Sequence, residues 1–302
     1  MSSVNPNVEA QKRIKTDANA DNGPDKDPLS NDEKDEVKER SPLRPVAVYE
    51  VVRQQGDDEL ERPTSSLLWS GLAAGLSIGF SVYTQATLRH FLPEASWTPL
   101  LESLGYSVGF LIVILGRQQL FTEITLSAVL PFLAQPSFAG GLKIARLWTL
   151  VLAANIVGTL VFGAGIALDV LNLPEIRMAA IEISQKAIEP SPPYMFLRAI
   201  AAGWIIATVV WLLPSAEGSR FHIIVLLTYL ISLFHLAHII AGSVEMATLL
   251  FSGQLSVLRA LTHFYIPTLV GNIIGGSALF ALISYAQIAG ELRSGKKPKG
   301  RE

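Results

Sequence analysis

Gly116-Arg117-Gln118-Gln119-Leu120-Phe121-Thr122-Glu123 and His238-Ile239-Ile240-Ala241-Gly242-Ser243-Val244-Glu245 each interrupt a long apolar run near its middle, and each run resumes just after a Glu. Backbone that leaves the helical conformation at membrane depth exposes N–H and C=O groups that lipid cannot satisfy. It survives only where protein surrounds it or where it lines a polar passage. Two such breaks in corresponding positions of two halves point to a permeation site near the bilayer midplane.

Working outward, six apolar runs are readable: 66–88, 101–133 with a break at 116–122, 145–170, 196–213, 221–251 with a break at 238–243, and 263–288. A spanning helix needs about 20 apolar residues. The second and fifth runs exceed that, which predicts two half-helices joined by a loop in each. Between the third and fourth runs, residues 174–190 have helical spacing and read as a short packing helix on the outer face, lying against the membrane. The loops place Lys143, Arg146, Arg220 and the basic tail on one side and the acids Asp169, Glu175, Glu182 and Glu189 on the other. That bias predicts a cytoplasmic location for both termini.

The first three runs resemble the last three. Leu72-Ala73-Ala74-Gly75-Leu76 recurs as Ile200-Ala201-Ala202-Gly203-Trp204, the two breaks match, and Ala154-Asn155-Ile156-Val157-Gly158 recurs as Gly271-Asn272-Ile273-Ile274-Gly275. An odd number of spans per copy makes the repeat inverted, so the two breaks meet near the midplane. The expected fold class is an all-α membrane protein of six transmembrane helices in an inverted 3+3 repeat, with helices two and five broken. Small residues such as Gly158 and Gly275 let the helices approach closely.

The ends of the chain differ from this middle. Residues 1–62 carry 10 Lys+Arg against 15 Asp+Glu, with few large apolar residues before Val46. Such a composition buries no core, and the segment reads as a largely disordered charged head with either a short helix or a loose approach to the membrane at 45–61. Residues 65–288 form the membrane domain and 289–302 a basic tail. The head lacks the apolar stretch of a signal peptide, and its acids argue against a mitochondrial transit peptide. No cysteine is present, which excludes disulfides, thiolate metal sites and cysteine catalysis. Basic residues cluster only in the tail, so nothing marks a nucleic-acid footprint. No nucleophile motif, paired carboxylates at catalytic spacing, phosphate loop or dinucleotide fingerprint is readable, which argues against an enzyme and against a cofactor.

Several of these residues resemble the formate/nitrite transporter family: Leu120-Phe121-Thr122 after the first break, His238 at the second, Gly109 ahead of the first, and Gly271-Asn272-Ile273-Ile274-Gly275-Gly276 in the last run. The resemblance covers about residues 65–288. It implies an aquaporin-like protomer, a homopentamer, and a pore through each protomer for formate, nitrite, hydrosulfide or their acids. It also implies that His238 and Thr122 lie on the path, with Tyr106, Phe110 and Ile231 as constrictions. The chain departs from the family pattern where Arg117-Gln118-Gln119 replaces Gly-Ala-Glu/Asp, where Gly203 and Gly242 each replace an Asn, and where Ala237 replaces an acid.

The polar residues within the apolar runs carry two readings each. An ionisable group at membrane depth is expensive and marks function by default. His238 is either a pore residue that donates a hydrogen bond or a proton to a passing anion, or a neutral imidazole bonded to a helix carbonyl; the break and the repeat favour the pore. Thr122 and Ser243 sit at half-helix starts, where exposed N–H groups favour anions. The alternative is ordinary capping with Glu123 and Glu245 as partners, and for the two Glu residues capping is preferred. Arg117 is expected to pair with one of those Glu residues, because an unpaired buried charge is costly; its competing role is to attract anions at the pore mouth. Asn155 and Asn272 are expected to hold the broken helices rather than touch substrate. His235 and His238 lie three apart, but no third ligand is near and no metal site is expected.

The reading is therefore transport of small monovalent anions or their weak acids across a bacterial cytoplasmic membrane. Two alternatives stand beside it: a pore for neutral solutes such as water or glycerol, and a non-transporting scaffold or sensor that uses its acidic head.

Overall fold

The computed structural model describes residues 43–216 and 218–295, together with Ser30 and Asp32. Most of the charged head and residues 296–302 of the tail lie outside the described residues. Two compact units are distinguished, residues 1–42 and residues 43–302, and every element named below belongs to the second.

Every regular element among the described residues is helical. Helix α1 (Pro45–Glu61) starts with Pro at its first turn and ends before Arg62-Pro63. Its apolar residues Val48, Tyr49 and Val52 are buried, while Arg53 joins Glu50 and Asp57 along its outer side. Helices α2 (Thr64–Phe91) and α7 (Phe138–Ala167) are the long rods, of 28 and 30 residues. At 1.5 Å per residue each exceeds the hydrocarbon thickness of a bilayer. Ser137 caps α7 by accepting from the Gly140 N–H, so the rod starts at Phe138 although the apolar run reads from 145.

Between these rods the chain forms α3 (Thr98–Gly105), α4 (Ser107–Leu115), α5 (Phe121–Ser127) and α6 (Val129–Ala134). After α7 come α8 (Pro174–Ile188), α9 (Pro192–Leu212), α10 (Arg220–Leu233) and α11 (Ile239–Phe251). The last rod is interrupted: α12 (Val257–Arg259), a π-helical turn at Ala260–Tyr265, α13 (Ile266–Ile273), a second π stretch at Ile274–Ala281, and α14 (Leu282–Gly295). Pro267 has no N–H for the carbonyl four residues back, and the wide turn of Ala260–Tyr265 precedes it immediately. Five of the described helical stretches are long and apolar enough to cross a membrane: 64–91, 98–115, 138–167, 192–215 and 257–291. Helices α10 and α11 are each too short to do so alone.

Both breaks lie closer to the N-terminus than their sequence reading, and the second moves most. The first occupies 116–120 and the second 234–238, so His238 closes the second break instead of opening it. Each preceding helix ends at a residue in the left-handed region, Arg117 at φ 51° and His235 at φ 51°. Around them the bonds Arg117 N–H to Ile114 O and Gln118 N–H to Val113 O are repeated as His235 N–H to Ser232 O and Leu236 N–H to Ile231 O. This closing motif satisfies carbonyls that a broken helix would otherwise strand.

The core sits between α2, α4, α7, α9 and α11, with Ile78, Phe110, Val151, Ile206 and Ile240 fully buried. Close approach is set by small residues. A Cβ on Gly75 would lie 2.2 Å from the Asn155 carbonyl oxygen, and one on Gly203 2.4 Å from that of Asn272. No side chain has room at position 203.

Candidate functional site

Each break is held by one buried asparagine. Asn155 Oδ1 accepts from the Phe121 N–H at 2.9 Å, and its Nδ2 donates to the carbonyls of Gly71 and Gln119 at 2.8 and 2.9 Å. Asn272 Oδ1 accepts from the Ile239 N–H at 2.8 Å, and its Nδ2 donates to Ala199 and Ala237 at 2.7 and 2.9 Å. Each side-chain amide thereby satisfies two groups of the break that no helix bonds, the Phe121 N–H and Gln119 carbonyl or the Ile239 N–H and Ala237 carbonyl, and ties them to a carbonyl of α2 or α9, which makes a break at this depth affordable.

Between the two breaks lies the central pair. His238, 1% exposed, is the N-cap of α11, and its Nδ1 accepts from the Ala241 N–H at 3.1 Å. A ring nitrogen that accepts carries no proton, so the proton of the neutral imidazole is on Nε2. Nε2 is 2.7 Å from Thr122 Oγ1. The Nε2–H donates to that hydroxyl, which leaves the Thr122 O–H as a donor for something else. The Phe110 ring stands edge-on to the imidazole with centroids 5.1 Å apart, and Tyr106 packs on Phe110 at 5.1 Å.

Two cavities approach this pair. One, of about 120 Å³, reaches His238, Gly242 and Glu245, which share a face of α11, and is walled by Tyr106, Ile231 and Phe264. Lys186 of α8, Arg198 of α9 and the exposed His235 stand around it. Arg89 clamps α8 there through Glu182 at 2.9 Å and Glu102 at 3.4 Å. The other cavity, of about 590 Å³, is bounded by α1 and contains Arg117, Gln119, Glu123 and Arg220. Neither cavity reaches Phe110, Leu120, Phe121 or Thr122. The first space ends at His238, and Gln119 and Glu123, on either side of Leu120–Thr122 in the chain, line the second.

Several sequence expectations are corrected here. Neither Thr122 nor Ser243 is a cap: Thr122 bonds His238, and the Ser243 hydroxyl donates to the Ile239 carbonyl at 2.5 Å inside α11. Leu120 caps α5 without a side-chain bond, so Glu123 is no capping partner, and Glu245 lies seven residues past the His238 cap. Glu123 instead lines the larger cavity, with Oε1 buried and without a hydrogen bond, and Glu245 lines the smaller one. Arg117 makes no ion pair among the described residues. It is exposed and shares the larger cavity with Glu123, away from Glu245. Exposure removes the cost that motivated the pairing. Phe121 is turned against Trp148, with centroids 6.0 Å apart, and Leu120 is fully buried. The helix at 174–188 does more than pack, since Ile183 and Lys186 wall the smaller cavity.

Sequence reading missed two features. Glu59 of α1 accepts from the Ser127 hydroxyl at 2.5 Å and from the Gln119 side chain, tying α1 to the first break. Burial pushes its carboxyl up to about 7, against the pull of those two bonds. Phe264 also reaches the His238 side from the last rod, and Pro267 was its only signal.

The family model described as Formate/nitrite transporter matches residues 46–286. The chain belongs to that family. Among relatives, it is 41% identical over 264 residues to the inner membrane protein YfdC of Escherichia coli (strain K12), covering 87% of this chain and 85% of that one. It is 22% identical over 263 residues to the uncharacterized transporter YrhG of Bacillus subtilis (strain 168), covering 85% and 97%. Among solved structures, a pentameric formate channel with formate bound aligns at TM-score 0.63 and 19% identity, over 75% of this chain and 97% of that one. A further structure, an FNT family ion channel, aligns at TM-score 0.65 and 17% identity, over 80% and 96%. As a member of the formate/nitrite transporter family the chain is a membrane channel or transporter, not an enzyme.

Proposed function

We propose that this protein carries small monovalent anions or their weak acids, of the formate, nitrite and hydrosulfide class, through a pore in each protomer. The observation that carries the reading is the buried His238–Thr122 pair between two cavities. In this reading six spans form an inverted 3+3 repeat, supported by the matched asparagine circuits and left-handed closing residues of the two breaks. Residues 65–288 are then the channel domain, and 1–62 and 289–302 the cytoplasmic head and tail. A homopentamer follows the pentameric formate channel among its structural neighbours. A bacterial inner membrane with both termini cytoplasmic follows YfdC and the loop charges.

The route is derived from the geometry. A naked anion entering the apolar zone beside Phe110 loses its hydration, which costs far more for a charge than for a neutral molecule. Desolvation also makes the anion easier to protonate. The Nε2–H of His238, relayed through the Thr122 hydroxyl, offers a hydrogen bond to the desolvated anion, and the proton itself comes from the water on the entry side. The species then crosses as its neutral acid, past Tyr106, Phe110 and Ile231. Ser243, Leu120 and Phe121 pack behind that path without lining either cavity. Arg117 draws anions into the larger cavity, while Asn155, Asn272, Gly242 and the two Glu residues support the path.

The test is uptake into proteoliposomes of formate, nitrite, hydrosulfide, acetate and glycerol at external pH 5 and 7.5. Faster uptake of weak acids at pH 5, abolished in His238→Ala, is the expected result. Flux for glycerol alone would instead make this a neutral-solute pore.

A further inference from the structure

We propose that Phe264, seated on Gly242, sets the upper size limit for what passes His238 from the smaller cavity. The proposal rests on the transport reading above and adds a specificity residue to it. His238, Gly242 and Glu245 lie at i, i+4 and i+7 on one face of α11, and all three line that cavity. At the middle position there is no side chain. The space is taken by the Phe264 ring: a Cβ on Gly242 would sit 2.3 Å from Phe264 Cζ and 2.6 Å from Cε2. The ring is 2% exposed and lines the cavity itself.

Its position follows from the backbone. Phe264 lies in the π-helical turn Ala260–Tyr265, directly before the Ile266-Pro267 step. The extra residue in a π turn displaces the side chains that follow relative to a regular helix. A phenyl ring from the last rod thus covers the face of α11 at Gly242 and makes the wall there apolar. It stands beside a cavity of about 120 Å³, against about 590 Å³ on the opposite side of the pair.

A pocket that accepts or refuses one methylene discriminates by about tenfold or more. The experiment measures uptake of formate, acetate and propionate at pH 5 into proteoliposomes holding the full-length protein, its Phe264→Ala and Phe264→Leu variants, and a Gly242→Ala/Phe264→Ala pair. The expected result is a propionate-to-formate ratio raised about tenfold in Phe264→Ala, and raised less in Phe264→Leu. Gly242→Ala alone is expected to depress flux for every acid, and Phe264→Ala in the same chain to restore it. A ratio unchanged in both Phe264 variants, with formate uptake intact, overturns this assignment and leaves the transport reading standing. Wild type and variants silent toward all three acids overturn both. Loss of all three fluxes in proportion in Phe264→Ala, while Phe264→Leu stays identical to wild type, assigns the ring a packing role and overturns the filter.

Discussion

The two breaks share a scaffold and differ in what they present. Each is closed by a left-handed residue, Arg117 or His235, and held by an asparagine that bonds three backbone groups. At the cap that follows, the first break offers Leu120 and the second His238. Their supports differ as well. Helix α1 braces the first through Glu59, and α8 lines the cavity beside the second with Ile183, Lys186 and Ala187. Backbone geometry is duplicated between the halves, while the imidazole at the cap is present in one only.

Loss of either asparagine should have the largest effect. Asn155→Leu and Asn272→Leu each orphan two backbone groups of a break, at a cost of about 2–6 kcal/mol. Thermal melts in detergent should fall by similar amounts for the two; a large inequality would break the equivalence of the scaffolds. His238→Ala should then lower weak-acid uptake by about 100-fold with little change in melting, whereas Leu120→Ala should lower stability more than uptake. Thr122→Val, which keeps the shape and removes the hydroxyl, should cost about tenfold in uptake.

The brace on the first break should depend on pH and that on the second should not. The docked Glu59 carboxyl titrates near 7 against its ordinary 4.5. The docked form therefore holds its proton further up the pH scale, so α1 is bound most firmly below about 4.5, loosens as pH rises to about 7, and changes little above. Protection of the α1 amides, with the intrinsic pH dependence of exchange divided out, should fall across that window in wild type and stay flat in Glu59→Gln. Asp58 and Arg62, which share the cavity with Glu59, are present in both proteins and so do not confound the comparison. The smallest effect is expected at the closing residues. Arg117→Gly and His235→Gly each relieve a left-handed conformation, with a gain of about 1 kcal/mol. Equal gains would show that neither side chain contributes to its turn.

How much of this was legible follows the same division. Apolar run lengths locate the rods, and the Asn-containing strings in the third and sixth runs mark the residues that secure the breaks. Break boundaries were misread because Gly242 and Ser243 are weak helix formers, yet a tertiary bond from Asn272 and a cap from His238 start the helix before them. Glu123 and Glu245 were misassigned because spacing alone cannot separate a capping carboxyl from one that faces a cavity. Phe264 was hidden for a related reason: its contact with Gly242 spans 22 positions of chain and depends on a π turn, which hydrophobic periodicity does not register.

The asparagine circuits bear on how the protein is made. Asn155 reaches back only to Gly71, Gln119 and Phe121. The first circuit can therefore close once residue 155 has entered the bilayer, while the second half is still on the ribosome. Asn272 likewise bonds only Ala199, Ala237 and Ile239. Each half carries its own fastening through biogenesis, and the Thr122–His238 bond forms only when the two finished halves meet.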